Sequence, residues 1–130
     1  MKKKKIEVKG SNKSPKMVFD LQSGIIKILG RSTMVNPQDF YPSVISLIKE
    51  YCANPEKKTL LIIDLEYFNT YSARYLLKIA ELLAKINLKE DYEAKINWFF
   101  DPEDLGLKED IDLFSEIIQH KINAIEYEYA

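Results

Sequence analysis

From Thr59 to Ala84 the chain reads TLLIIDLEYFNTYSARYLLKIAELLA, an apolar run that passes through a polar turn straight into an amphipathic helix. Thr59 to Leu65 is almost continuously apolar, the pattern of a strand covered on both faces and therefore central in its sheet. Beyond it, Ala73, Leu76, Leu77, Ala80, Leu83 and Ala84 recur at helical spacing and form one stripe. A strand feeding directly into a helix points to an α/β or α+β domain. The turn between them, Asn69 to Ser72, carries two hydroxyl residues. A helix N-terminus offers unpaired N–H groups and the positive end of the helix dipole, so a threonine there can cap the helix or carry a phosphoryl group. Thr70 is accordingly the leading candidate for a regulatory switch, with capping as the plain alternative.

The flanking sequence supplies the other layers. Met17 to Leu21 and Ile25 to Leu29 are apolar runs separated by Gln22-Ser23-Gly24, the turn chemistry of a β-hairpin. Asn36-Pro37 signals a turn or a helix start, and Phe40, Val44, Ile45, Leu47, Ile48 and Tyr51 mark a first helix that Asn54-Pro55 stops. Tyr92 to Phe100 reads as a strand. Ile111, Phe114, Ile117 and Ile118 indicate a third helix beginning near Leu107 or Lys108, which places Glu109, Asp110 and Asp112 in its first turns. Ile122 to Tyr129 reads as a last strand. The expected order is ββαβαβαβ in one domain spanning residues 16–130, preceded by a basic tail, residues 1–15, that can carry a short strand.

The formal net charge of -1 conceals an asymmetry, because residues 1–16 hold seven Lys and one Glu while the rest is acidic by seven charges. An acidic body repels nucleic acid, so no nucleic-acid partner is expected and the Lys2 to Lys5 run reads as a solvated tail. Glu7, Lys9 and the polar residues after them deny that start the apolar core of a signal peptide, and no run is long enough to span a bilayer. The single Cys52 excludes an internal disulfide and reads as a packed thiol, consistent with a cytoplasmic setting.

No enzyme motif emerges. There is no Walker A, GxGxxG or GxSxG sequence, and His120 has no second His or Cys beside it, so it reads as a cation at a helix C-terminus. Asp101, Glu103, Asp104, Glu109, Asp110 and Asp112 lack the spacing of an EF-hand and read as helix-start acids or a steering face; no metal or cofactor is expected. A small Mg²⁺ enzyme built on Glu66 or these acids would rest on carboxylate density alone. Trp98, Phe99 and Phe100 are expected to alternate in and out of a sheet, and at least one of Tyr67, Phe68 and Tyr71 should point away from the core.

LEYFNTYS (Leu65 to Ser72), ILGRS (Ile28 to Ser32), NPQDFYPSVISLIKEY (Asn36 to Tyr51) and NWFFDPED (Asn97 to Asp104) resemble the SiaC family of bacterial regulatory phosphoproteins, from about Lys16 to Tyr129. The resemblance implies a STAS-like single domain, a mixed sheet with helices mainly on one face. It also implies a partner switch. A Ser/Thr protein kinase phosphorylates one threonine, a PP2C-type phosphatase reverses this, and the unmodified form binds and activates a diguanylate cyclase, linking the protein to cyclic di-GMP and biofilm control. The family's phosphorylated threonine falls on Thr70, and Asn69 and Ser72 match its motif. Where the family reads something like GxSYPEN, this chain has Thr33, Met34 and Val35 in place of Tyr, Pro and Glu, in a loop of the kind where partner pairs diverge.

The resulting expectation is a non-catalytic adaptor whose docking face comprises Tyr67, Phe68, Asn69, Tyr71, Ser72 and Arg74, with Arg31 and Ser32. The alternatives are an anti-sigma-factor antagonist and a constitutive interaction module in which Thr70 is only a cap.

Overall fold

The structure is a computed structural model that describes residues 5–128. Six strands form one sheet in the order β1-β2-β3-β4-β5-β6: β1 Lys5–Val8, β2 Lys16–Asp20, β3 Ile25–Ser32, β4 Lys58–Phe68, β5 Glu93–Phe100 and β6 Asn123–Glu126. The helices are α1 Tyr41–Ala53, α2 Thr70–Ala84 and α3 Leu105–Ile118, with 3₁₀ turns at Pro37–Asp39 and Lys85–Leu88. Strands β1, β2 and β3 pair antiparallel, whereas β3 to β6 are parallel neighbours.

Each parallel step passes through one helix and advances in the same direction across the sheet. Because such crossovers are right-handed, α1, α2 and α3 all fall on the same face. That face holds the core: Met17, Phe19, Ile26, Ile28, Leu61, Ile63, Leu65, Ile96 and Trp98 from the strands, against Val44, Ile48, Leu76, Ile79, Leu83, Ile111 and Phe114 from the helices. The mixed sheet and the succession from β2 to β6 follow the expected order. The described part of the basic segment contributes β1, which pairs with β2; residues 1–4, and with them Lys2 to Lys4, lie outside the described residues.

Three expectations are corrected. First, β4 is central but covered on one face only: Thr59, Leu61, Ile63 and Leu65 are buried, while Leu60, Ile62 and Asp64 alternate with them half-buried on the open face. With every helix on one side, the apolar residues of the other side are shielded only by their cross-strand neighbours. Second, α3 starts at Leu105, because Asp104 caps it through a hydrogen bond from the Leu107 amide to Oδ1 (3.0 Å). Glu109 and Asp110 consequently fall beyond its first turn, and Ile117, expected in its apolar stripe, is 55% exposed. Third, the closing strand is shorter than Ile122 to Tyr129; its expected end at Tyr129 lies outside the described residues.

The hairpin turn needs its glycine. Gly24 has φ +72°, and a Cβ there would stand 2.3 Å from the Lys58 carbonyl oxygen, where β4 begins beside it.

Candidate functional site

Strand β4 ends at Phe68, whose ring packs on Trp98 and Phe114 with centroids 5.5 and 6.2 Å away. This anchor sets where the chain turns. The next residue, Asn69, is extended (φ -95°, ψ 172°) and is the N-cap of α2: its Oδ1 accepts the Ser72 amide at 2.9 Å, and its Nδ2 donates to the Met34 carbonyl at 3.0 Å. The Asn69 amide in turn donates to the Ser32 carbonyl at 3.0 Å. Asparagine thus closes the helix start and ties it to the loop after β3.

The cap is therefore Asn69, and the capping role considered for Thr70 is corrected. Thr70 is the first residue of α2, exposed, and its hydroxyl has no hydrogen-bond partner among the described residues. Asn69→Ala should cost about 1–2 kcal/mol by chemical denaturation, whereas Thr70→Ala should stay within about 0.5 kcal/mol of the parent. A larger loss for Thr70→Ala would restore a structural role to that hydroxyl.

Beneath the turn lies a buried chain of hydroxyls. Tyr41 donates to Ser32 Oγ (2.5 Å), which donates to Ser72 Oγ (2.8 Å), linking α1, β3 and α2. The Tyr41 ring also stacks on Tyr75, with centroids 5.1 Å apart and planes at 9°. Burial pushes the Tyr41 phenol from its ordinary value near 10 up to about 12, outweighing the opposing hydrogen bonds from Ser32 and Ser72. The unfolded chain releases this proton near pH 10 while the fold retains it to about pH 12. Tyr41's contribution is hence complete below pH 10 and lost as pH rises through 12, roughly 2–3 kcal/mol in all. Tyr41→Phe should lack that part of the alkaline slope in stability measured against pH.

The expected docking residues separate into two groups. Arg31, Tyr67, Thr70, Tyr71 and Arg74 are exposed and gathered around the turn, with Tyr67 and Tyr71 at 59% and 64%. Ser32 and Ser72 are completely buried, so they frame the turn instead of presenting a surface. Phe68 and Asn69 are intermediate. Arg31, next to a strand irregularity at Gly30, stands 3.9 Å from Glu66 in an exposed pair worth little by itself. In the divergent loop, Met34 packs against the core while its backbone carbonyl accepts from Asn69, and Val35 is 71% exposed.

Sequence reasoning did not anticipate the cleft beside Thr70. It encloses about 460 Å³ between the end of β4 and the start of α3, floored by Leu65, Leu107 and Phe114 and edged by Glu66, Asp104 and Asp110. A wider depression of about 780 Å³ adjoins it, edged by Asp64, Asp101 and Glu103. The distance in sequence between the two walls hid this arrangement.

The acids otherwise have local work. Asp101 Oδ1 accepts the Glu103 amide at 2.9 Å, Asp104 caps α3, and Asp112 pairs with Lys108 at 2.6 Å. Among the described residues no three His, Cys, Asp or Glu side chains are grouped to hold a metal ion.

His120 lies just past the C-terminal end of α3, before β6. Its Nδ1 donates to the Lys121 carbonyl (3.0 Å), and its Nε2 accepts from Asn87 Nδ2 (2.9 Å). Asn87 also bridges to β5, its Oδ1 accepting the Ala94 amide at 2.9 Å. Cys52 is a packed thiol donating to the Leu82 carbonyl at 3.6 Å, and burial raises its pKa despite the opposing charge of Lys89. Of the aromatic triplet, Trp98 and Phe100 enter the core while Phe99 lies on the open face, stacked on Tyr127.

A two-layered α/β domain that holds a threonine exposed on a hydrogen-bonded strand-to-helix turn has the build of a regulatory phosphoprotein. The chain belongs to the SiaC family: the model for SiaC family regulatory phosphoproteins matches residues 8–127. Solved structures agree in fold. Apo-SiaC from Pseudomonas aeruginosa superposes with a TM-score of 0.81 at 20% identity, covering 97% of this chain and 100% of that one. SiaC from the same organism, in complex with the diguanylate cyclase SiaD that it activates, gives 0.83 at 20% identity, covering 94% and 99%. No curated protein matches the chain by sequence.

Proposed function

We propose that this chain is a non-catalytic cytoplasmic adaptor in which the modification state of Thr70 decides whether an effector binds. The effector is a diguanylate cyclase, by analogy with the complex formed by the Pseudomonas aeruginosa relative. The unmodified protein docks through the exposed surface around Tyr67, Tyr71, Arg74 and Arg31 and so regulates cyclic di-GMP synthesis. A Ser/Thr protein kinase adds the phosphoryl group and a PP2C-type phosphatase removes it.

The observation that carries this reading is the division of labour at the turn. Asn69 does the capping, leaving Thr70 exposed with its hydroxyl uncommitted. A phosphate adds about -1.5 to -2 charge at neutral pH, and at this position it alters the docking surface without disturbing the cap.

Incubation with ATP and the cognate kinase, followed by intact-mass and peptide mass spectrometry, tests the assignment. One added phosphoryl group on Thr70 is expected, with none on the Thr70→Ala protein. Modification of another residue, or none by a kinase that phosphorylates a control substrate, would reject it.

A further inference from the structure

The guanidinium of Arg74 waits one helical turn beyond Thr70 with no carboxylate to hold it. Among the described residues no Asp or Glu lies within ion-pair distance of Arg74, although Lys78, one turn further along α2, and Lys85, just past its end, each stand 3.8 Å from Glu81. Both Thr70 and Arg74 are exposed. Arg74 lines a groove with Tyr75, Lys78 and Ile117, but residues at i and i+4 of a helix are neighbours and long side chains run back toward the helix N-terminus, so its guanidinium has the reach to meet a phosphate on Thr70. An anionic group at i with a cation at i+4 is also the more favourable order along the helix.

The helix start offers a phosphate less than an uncapped one would. Its Ser72 amide is already taken by the Asn69 side chain, and Asn69 is held in place from behind by Met34 and Ser32. The other nearby guanidinium, Arg31, faces Glu66, which edges the same cleft as Thr70. A phosphate drawn toward Arg31 would approach that carboxylate; one drawn toward Arg74 moves away from it along an acid-free first turn of α2.

We propose that Arg74 is the internal counter-ion of phosphorylated Thr70. The inference rests on the reading of Thr70 as the modified residue and adds how the modification is read out. In the unmodified protein the free guanidinium belongs to the docking face. After phosphorylation it forms a charge-assisted, bidentate pair with the phosphate and is withdrawn from that face. Modification thus changes the surface twice, adding an anion and cancelling the cation that a partner would have met.

The test uses full-length protein with phosphothreonine genetically encoded at position 70, alone and with Arg74→Gln or Arg31→Gln, titrated by ³¹P NMR. A phosphate held by a guanidinium releases its second proton more readily. The expected midpoint in the parent is about 0.5 unit below that of the Arg74→Gln protein, with Arg31→Gln close to the parent. Equal midpoints in the parent and Arg74→Gln would overturn the assignment, as would a shift confined to Arg31→Gln. Glutamine at this exposed helical position is expected to leave the fold intact, and an unchanged circular dichroism spectrum is the check. The titration needs neither kinase nor effector, so its failure is distinct from failure of the switch itself.

Discussion

Truncation of Trp98 to alanine should destabilise the protein by about 3–5 kcal/mol, read as a shift in the denaturant midpoint. Trp98 is completely buried on β5, and its ring packs on Phe68 and Phe114 with centroids 5.5 Å from each. Removing it opens a cavity directly beneath the last residue of β4, where the chain begins its turn toward Thr70. The loss should therefore reach function as well as stability, because Phe68 sets the position from which Asn69 caps α2. Trp98→Phe provides the contrast. Nε1 of Trp98 is buried with no hydrogen-bond partner among the described atoms, so phenylalanine discards an N–H whose desolvation already costs about 1–3 kcal/mol. Trp98→Phe should cost less than about 2 kcal/mol and preserve the turn.

Phosphorylation of Thr70 should weaken effector binding by about a hundredfold or more, equivalent to roughly 2.7 kcal/mol. The magnitude follows from the position of the charge. Thr70 stands among Tyr67, Tyr71 and the floor of the adjoining cleft, where a docked partner would exclude water, and desolvating an added phosphate there is costly even when a guanidinium pairs with it. Stability should change far less, since the cap and the buried Ser32, Tyr41 and Ser72 hydroxyls remain in place. A thermal melt of the phosphorylated protein separates these effects: an unchanged transition with lost binding is expected.

The sheet was legible in the sequence wherever periodicity and turn chemistry agreed. The hairpin at Gly24, the strand from Thr59 and the stripe of α2 each carry a local signal, so their types were readable. Whether β4 is covered on one side or both was not, because an apolar run reports affinity for a sheet and not the hand of the crossovers around it. Residue choice at the Thr70 turn was readable as a helix start, yet which of Asn69, Thr70 and Ser72 caps depends on one backbone dihedral pair and one carbonyl from the distant Met34. The burial of Ser32 and Ser72 was hidden for the same reason. Their partner, Tyr41, looks like any other helical aromatic until α1 is laid against α2.

The central claim is that Thr70 switches effector binding, and calorimetric titration of a cognate diguanylate cyclase with unmodified and Thr70-phosphorylated protein tests it most directly. The account predicts saturable binding of the unmodified protein and of Thr70→Ala, with affinity lower by about a hundredfold or more for the phosphorylated form. Equal affinity of the modified and unmodified proteins, both folded, would contradict it.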